Sequence, residues 1–296
     1  MPEQPHKPAL VVAEIGCNHR GDLDIAKDMV RMAATFCKVD AVKLQKRCAR
    51  ELLTRDQYAA PHPNPIHAYG SSYGAHREFL EFDVDQHVEL KNLCDELGIT
   101  YSTSVWDLTS AREIAAIEPT WLKIPSACNL NFEMLGWLCD EFRGGIHVSL
   151  GMTTRLEAQQ IVEFFEHKRR SEDLVLYACT SGYPVPAEDI CLMEISRLIE
   201  TYGERVAHIG FSGHHLGIAP DIAAFTLGAS WIERHYTLDR TWRGTDHAAS
   251  LEPDGMRRLA RDVRAVAAAL CHKSQDILEI EDPQRRKLKW TGIQAA

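Results

Sequence analysis

The feature that most constrains this chain is an alternation. Eight short apolar or β-branched runs are each joined to the next by polar residues and a stretch with helical spacing. The runs are LVVAEIG (10–16), AVKLQK (41–46), ITYSTSV (99–105), WLKIPS (121–126), IHVSLG (146–151), LVLYACT (174–180), HIGFSG (208–213) and WIERHYT (231–237). Between them, segments such as DLDIAKDMVRMAATFC, FDVDQHVELKNLCDELG and TRLEAQQIVEFFEHKRR carry apolar residues three and four apart, the mark of amphipathic helices. Eight strands alternating with helices predict an α/β protein, a (β/α)8 TIM barrel. A dinucleotide-binding sheet fits less well, because its GxGxxG turn is missing. The last good helix is PDGMRRLARDVRAVAAALC (253–271), with about 25 residues after it, so residues 1–296 are expected to form a single barrel domain.

One interval breaks the even spacing. Between the second and third runs, TRDQYAAPHPNPIHAYGSSYGAHREFLEF (54–82) inserts a loop rich in Pro, His, Tyr and Gly. A loop that follows a barrel strand lies on the C-terminal face, so this segment is either a lid over a substrate or surface decoration.

Composition narrows the function classes. The net charge is −9 and the lysines and arginines are scattered, which excludes the basic footprint of a nucleic-acid binder. An anionic substrate therefore needs a locally basic pocket. The nine cysteines are odd in number and form no CxxC pair, which favours free thiols in a reducing cytoplasm over disulfides or a zinc cluster. The N-terminal stretch has no secretory signal pattern, and no apolar run approaches the ~20 residues needed to span a bilayer. The expectation is a cytoplasmic protein with no membrane or nucleic-acid partner.

In a barrel the C-terminal ends of the strands converge on one mouth, and polar residues gather there in this chain. Glu14, Lys43, Gln45, Thr103, Lys123, Ser126, Ser149, Ser181, Ser212, His214, His235 and Asp246 all lie in or just after a predicted strand. Strand periodicity puts Lys43 with Gln45, Ser212 with His214, and Glu233 with His235 on shared faces. Two lysines from separate strands beside several hydroxyls describe a phosphate or carboxylate pocket. Lys123 equally suits a Schiff-base aldolase. A single histidine at a strand end is usually a hydrogen-bonding residue. His214 and His235 end successive strands roughly 5 Å apart, close enough to share a divalent ion that other ligands complete.

The motifs AEIGCNHRGDLDIAKDM, DAVKLQ, KIPSACNLN, VSLGM, YACTSGYPVP, GFSGHHLG, GASWIERHYTLDR and GTDHAASLEPD resemble, in that order, those of sialic acid synthases. The resemblance covers about residues 8–255. It implies a TIM barrel that condenses phosphoenolpyruvate with N-acetylmannosamine or a related aldose, giving a 2-keto-3-deoxy sugar acid and phosphate. Carried over position by position, it implies that Lys43, Thr103, Lys123, Ser126, Ser149, Ser181 and Ser212 bind phosphoenolpyruvate. It further implies that Gln45, Tyr183 and Asp246 contact the sugar, that Glu14 acts near the reacting carbons, and that His214 and His235 are catalytic ligands of Mn²⁺ or Mg²⁺. It also implies a homodimer. A Schiff-base aldolase or a non-catalytic barrel binding sugar or phosphoenolpyruvate stands as the alternative.

Several positions depart from the family pattern. Cys128 stands where a sugar-binding glutamate is common, Leu150 replaces a threonine, Gly213 replaces an aspartate and His215 replaces a threonine. The small antifreeze-like domain that commonly follows the barrel, and contributes an arginine across the dimer, has no counterpart in these residues. Changes gathered on the acceptor side imply a different aldose or other aldehyde. In YGAHREFLEF, His76 and Arg77 either face an anion on that acceptor, such as a sugar phosphate, or belong to a solvated helix start, the usual place for arginine.

Overall fold

A computed structural model describes residues 7–290. Its strands are β1 (Leu10–Gly16), β2 (Ala41–Lys46), β3 (Thr100–Val105), β4 (Trp121–Ile124), β5 (Gly145–Ser149), β6 (Leu174–Cys179), β7 (His208–Gly213) and β8 (Trp231–His235). Each pairs in parallel with the next and β8 returns to β1, closing an eight-stranded barrel. The eight apolar runs become the eight strands because a parallel sheet covered by helices is buried on both faces.

Which residues face the barrel axis follows from period two and the pairing register. Glu14 lies beside Lys43 and His235, Lys43 beside Ser102, Gln45 beside Ser104, and Ser212 beside Glu233. The odd positions of β2, β4, β5, β6 and β8 thus share the interior with the even positions of β1, β3 and β7. Near the bottom, the interior is plugged by Trp121, His147 and Trp231, with Trp121 stacked on His147 at 4.2 Å. Above this plug the interior becomes polar. The opposite strand faces, such as Val42, Leu44, Leu122, Ile146, Leu174 and Leu176, pack against the surrounding helices.

The helices begin where the sequence supplies a cap. Asp22, Asp83, Asp107, Asn131 and Thr154 each accept a hydrogen bond from a first-turn N–H of the helix that follows. Asp83 with Gln86 and Thr154 with Glu157 form full capping boxes. No helix among the described residues is long and apolar enough to cross a membrane.

The insertion folds into a short helix (Arg55–Ala59), a turn (Pro65–His67) and a second helix (Tyr73–Phe79). It is fastened across the mouth to the loop after β8. Tyr69 donates its hydroxyl to the Arg243 carbonyl at 2.6 Å, and the Gly244 N–H donates to His67 Nδ1 at 3.2 Å. This roof over the mouth is termed the lid.

Outside the barrel wall, Arg234 is fully buried. It donates to Asp221 at 2.5 Å, to His215 Nε2 at 2.9 Å and to the Gly217 carbonyl at 2.8 Å. This pair ties β8 to the Ala219–Thr226 helix. Removing Asp221 strands a buried guanidinium, so Asp221→Ala is expected to lower unfolding free energy by about 3–5 kcal/mol. Asp221→Leu combined with Arg234→Met is expected to recover much of that loss, both read from urea midpoints.

Candidate active site

The mouth of the barrel holds a cavity of about 430 Å³, walled by the strand ends and roofed by the lid. Of the positions singled out in the sequence, Glu14, Lys43, Gln45, Lys123, Ser126, Ser149, Ser181, Tyr183, Ser212, His214, His235 and Asp246 all line it. Thr103 does not. β3 presents Ser102 and Ser104 inward, so Thr103 points to the helix layer, where its hydroxyl donates to Tyr101 at 2.6 Å. Ser104 occupies the inward place and accepts from Lys43 Nζ at 2.6 Å. The alternation was legible: Tyr101 and Val105 are the apolar face of β3, and Thr103 shares their parity.

Two lysines define one side of the cavity. Lys43 is ion-paired with Glu14 and lies 3.7 Å from Glu233 Oε1. Lys123 sits 3.1 Å from Glu233 Oε2, with its ammonium 3.2 Å from the centre of the Tyr177 ring. All four charged residues are buried. Burial works against ionising Glu233, but Lys123 and Lys43 outweigh it and hold the carboxyl down to about 2. Glu14 goes the other way: burial, aided by the charge on Glu233, raises it to about 8 in spite of Lys43. Glu233 is therefore shared by two ammonium groups, while Glu14 is held by Lys43 and pushed upward by burial. Glu233 received no role in the sequence reading, although its parity with His235 was visible.

The serines complete this side. Ser126 follows β4, Ser149 ends β5, Ser181 follows β6 and Ser212 is the last residue but one of β7. Gly151 presses its backbone between two of them. Its N–H donates to Ser126 Oγ at 2.9 Å, and an added Cβ would lie 2.7 Å from that oxygen and collide with Ser181 Oγ.

Opposite the lysines, the His214 and His235 rings lie 5.3 Å apart, with Tyr183 4.4 Å from His214 and 5.7 Å from His235. Burial keeps both imidazoles neutral, with His214 down to about 4. His214 Nδ1 is 2.9 Å from the Thr180 carbonyl, which fixes its proton there, and His235 Nδ1 is buried without a partner. Asp246 stands nearby; burial raises its pKa, but the neighbouring His235, the Thr245 hydroxyl and Arg47 bring it below the usual carboxylate range. Two neutral imidazoles, one with an orphaned nitrogen, fit a divalent ion whose remaining ligands come from substrate and water. Among the described residues, no group of three or more His, Cys, Asp or Glu side chains is placed to hold a metal by itself.

The remaining departures fall outside the cavity wall. Leu150 packs against the core, and Cys128 sits half-buried in the turn after β4. Gly213 shares the outward parity of Phe211. An added Cβ there would lie 2.7 Å from His215 Cε1 and 2.8 Å from Phe211 Cε1, so the absence of a side chain leaves room for the His215 ring. Of the adjacent histidines, His214 faces the cavity and His215 serves the Arg234–Asp221 pair.

Cys17 and Cys179 also line the cavity, and neither is a nucleophile. Burial raises both thiols, Cys17 to about 12.

Buried charge of this kind at the mouth of a barrel is the setting of an enzyme active site. Comparison with known proteins makes the class specific. The NeuB family profile matches residues 29–275. Human N-acetylneuraminate-9-phosphate synthase is 36% identical over 281 residues, which cover 95% of this chain and 76% of that one. The N,N'-diacetyllegionaminic acid synthase of Campylobacter jejuni is 30% identical over 265 residues, 89% and 78% of the two chains. The crystal structure of the sialic acid synthetase of Leptospira borgpetersenii, in complex with citrate, superposes with a TM-score of 0.80 at 27% identity, covering 95% of this chain and 93% of that one. The chain belongs to the NeuB family and is a sialic acid synthase-like enzyme.

Two measurements check this site. Gly213→Asp is expected to cost about 1–3 kcal/mol by overpacking against His215 and Phe211, with Mn²⁺ affinity by calorimetry unchanged. Iodoacetamide at pH 8 is expected to label the exposed Cys191 and Cys271 while Cys17 and Cys179 stay unlabelled by mass spectrometry.

Proposed function

We propose that this enzyme condenses phosphoenolpyruvate with an aldose, giving a 2-keto-3-deoxy sugar acid and inorganic phosphate. The observation that carries the reading is the pair of buried lysines faced by four serine hydroxyls. Phosphoenolpyruvate has a phosphate and a carboxylate a few bonds apart, and Lys43, Lys123, Ser126, Ser149, Ser181 and Ser212 supply charge-assisted bonds to both.

With phosphoenolpyruvate held there, its carbon 3 is presented toward the histidine wall, where the open-chain aldehyde is bound. Carbon 3 forms the new bond to the aldehyde carbon, water adds at carbon 2, and phosphate leaves with its bridging oxygen. Gln45, Tyr183 and Asp246 orient the sugar. Glu14, its carboxyl raised by burial and touching Lys43, is placed to hold or release a proton at the reacting carbons. His214 and His235 would hold Mn²⁺ or Mg²⁺, which when bound stabilises negative charge developing on the aldehyde oxygen.

The Schiff-base alternative requires Lys123 as a free amine. Burial lowers its pKa, but the ion pair with Glu233 and the Tyr177 ring face both favour the ammonium.

Phosphoenolpyruvate consumption should require an aldose, stop with EDTA and resume with Mn²⁺ or Mg²⁺. Lys123→Gln and His235→Ala should each lower kcat/KM by about 10²–10³ or more. Gly151→Ala should raise the KM for phosphoenolpyruvate by displacing Ser126 and Ser181. Aldose-independent turnover, or borohydride trapping of substrate on Lys123, would refute the proposal.

A further inference from the structure

His214 and His235 are held by unequal means. His235 is framed on both sides: it is the register partner of Glu14 across the β1 seam, the next N–H, of Tyr236, donates to the Glu14 carbonyl at 2.7 Å, and its own carbonyl accepts the Leu251 N–H at 2.8 Å. His214 lies past the end of its ladder. Pairing between β7 and β8 stops at Gly213 and Arg234, so His214 opens the loop 214–218 that leads to the Ala219–Thr226 helix. Its own bonds go to the loop after β6, with its carbonyl accepting from the Val185 N–H at 3.0 Å and its Nδ1 2.9 Å from the Thr180 carbonyl. Neither bond relates it to β8, the strand that carries the other histidine.

Arg234 supplies that relation. Its parity on β8 is opposite to that of Glu233 and His235, so its side chain leaves on the outer face and takes no part in the cavity wall. There one guanidinium donates to the His215 carbonyl at 2.5 Å and to the Gly217 carbonyl at 2.8 Å, and it pairs with Asp221 in the first turn of the following helix. These contacts span the loop from the residue after His214 to the helix. Arg234 and Asp221 are both fully buried, so no water competes for the bonds and the carboxylate balances the charge. An ion pair alone would need only Asp221. The two carbonyls turn it into a clamp on the backbone, and the fork of the guanidinium is the group shaped to hold them. The His215 ring packs beside the same guanidinium at 2.9 Å, and a shift of that ring leaves both carbonyls gripped.

We infer that Arg234 is a positioning residue for the histidine pair: by bolting the loop after β7 onto β8 it sets the spacing of His214 and His235, and Asp221 serves by keeping the guanidinium buried and aimed. The inference rests on the reading that these imidazoles hold Mn²⁺ or Mg²⁺. A site with only two side-chain ligands placed on different elements depends on their spacing being fixed before the ion arrives.

The test titrates chelator-treated enzyme with Mn²⁺ by calorimetry, in the wild type, His235→Ala, Arg234→Lys and the double variant Asp221→Leu with Arg234→Met. The double variant keeps buried volume and removes both carbonyl bonds. Its Kd for Mn²⁺ should rise about 10- to 100-fold, the scale for groups that orient metal ligands, while its affinity for phosphoenolpyruvate, titrated without metal, is unchanged. Arg234→Lys keeps the charge without the planar fork and should fall between the double variant and the wild type. A wild-type Mn²⁺ affinity in the double variant, or affinities for Mn²⁺ and phosphoenolpyruvate that fall together, overturns the inference and leaves the metal reading standing. Should the double variant fail to fold, Arg234→Lys decides, and an undiminished Mn²⁺ affinity there overturns the inference. Wild-type enzyme that binds no Mn²⁺, or binds it equally well after His235→Ala, overturns the metal reading and the inference with it.

Discussion

Glu233 sits between Lys43 and Lys123 at the top of a closed barrel, and the rest of the site is arranged around that shared carboxylate. Two ammonium groups brought together in a buried space repel one another and lose hydration worth several kcal/mol apiece. Glu233 answers both at once, and Glu14, its carboxyl raised by burial, touches Lys43. The ammonium groups are thus held in fixed positions before any substrate arrives. An incoming anion then meets groups already oriented and already stripped of water, which is where electrostatic catalysis gains most of its strength.

That cluster exists only because eight strands hold one register. Lys43, Lys123 and Glu233 come from β2, β4 and β8, and a one-residue slip in any of these strands would turn its charge into the apolar helix layer. Closure of β8 onto β1 therefore fixes the site as well as the fold: Glu14 and His235 are register partners across that seam. The aromatic plug of Trp121, His147 and Trp231 closes the interior from below, so the polar groups above it face only the mouth.

Much of this was legible from residue order. The apolar runs located the strands to within a residue or two, and of the twelve polar residues counted at their ends all but Thr103 line the cavity. The reading failed where parity or tertiary partners decided the outcome. Thr103 went astray because three hydroxyl residues in succession conceal which of them face inward, and only the apolar Tyr101 and Val105 reveal the phase. Glu233 was passed over because its value lies in two lysines distant in sequence. Gly213 suggested a lost metal function, whereas its side of β7 faces His215 and Arg234, and no local pattern announces a partner on β8. Arg77 was left open between an anion site and a solvated helix start, and only the folding of the insertion over the mouth puts it in the cavity wall.

The two ends of the cavity are built with different tolerance for change. On the floor, a side chain is held by the register of a strand buried on both faces, so replacing Lys43 or Lys123 disturbs the charge balance of the whole mouth. In the roof, His76 and Arg77 belong to a seven-residue helix in an inserted loop tied down by a few contacts, including those of Tyr69 and His67. Such a loop can be lengthened or recomposed with little cost to the barrel. The physical consequence is that the strands fix the charged floor of the cavity, while its roof rests on residues 54–82, which can change without disturbing that floor.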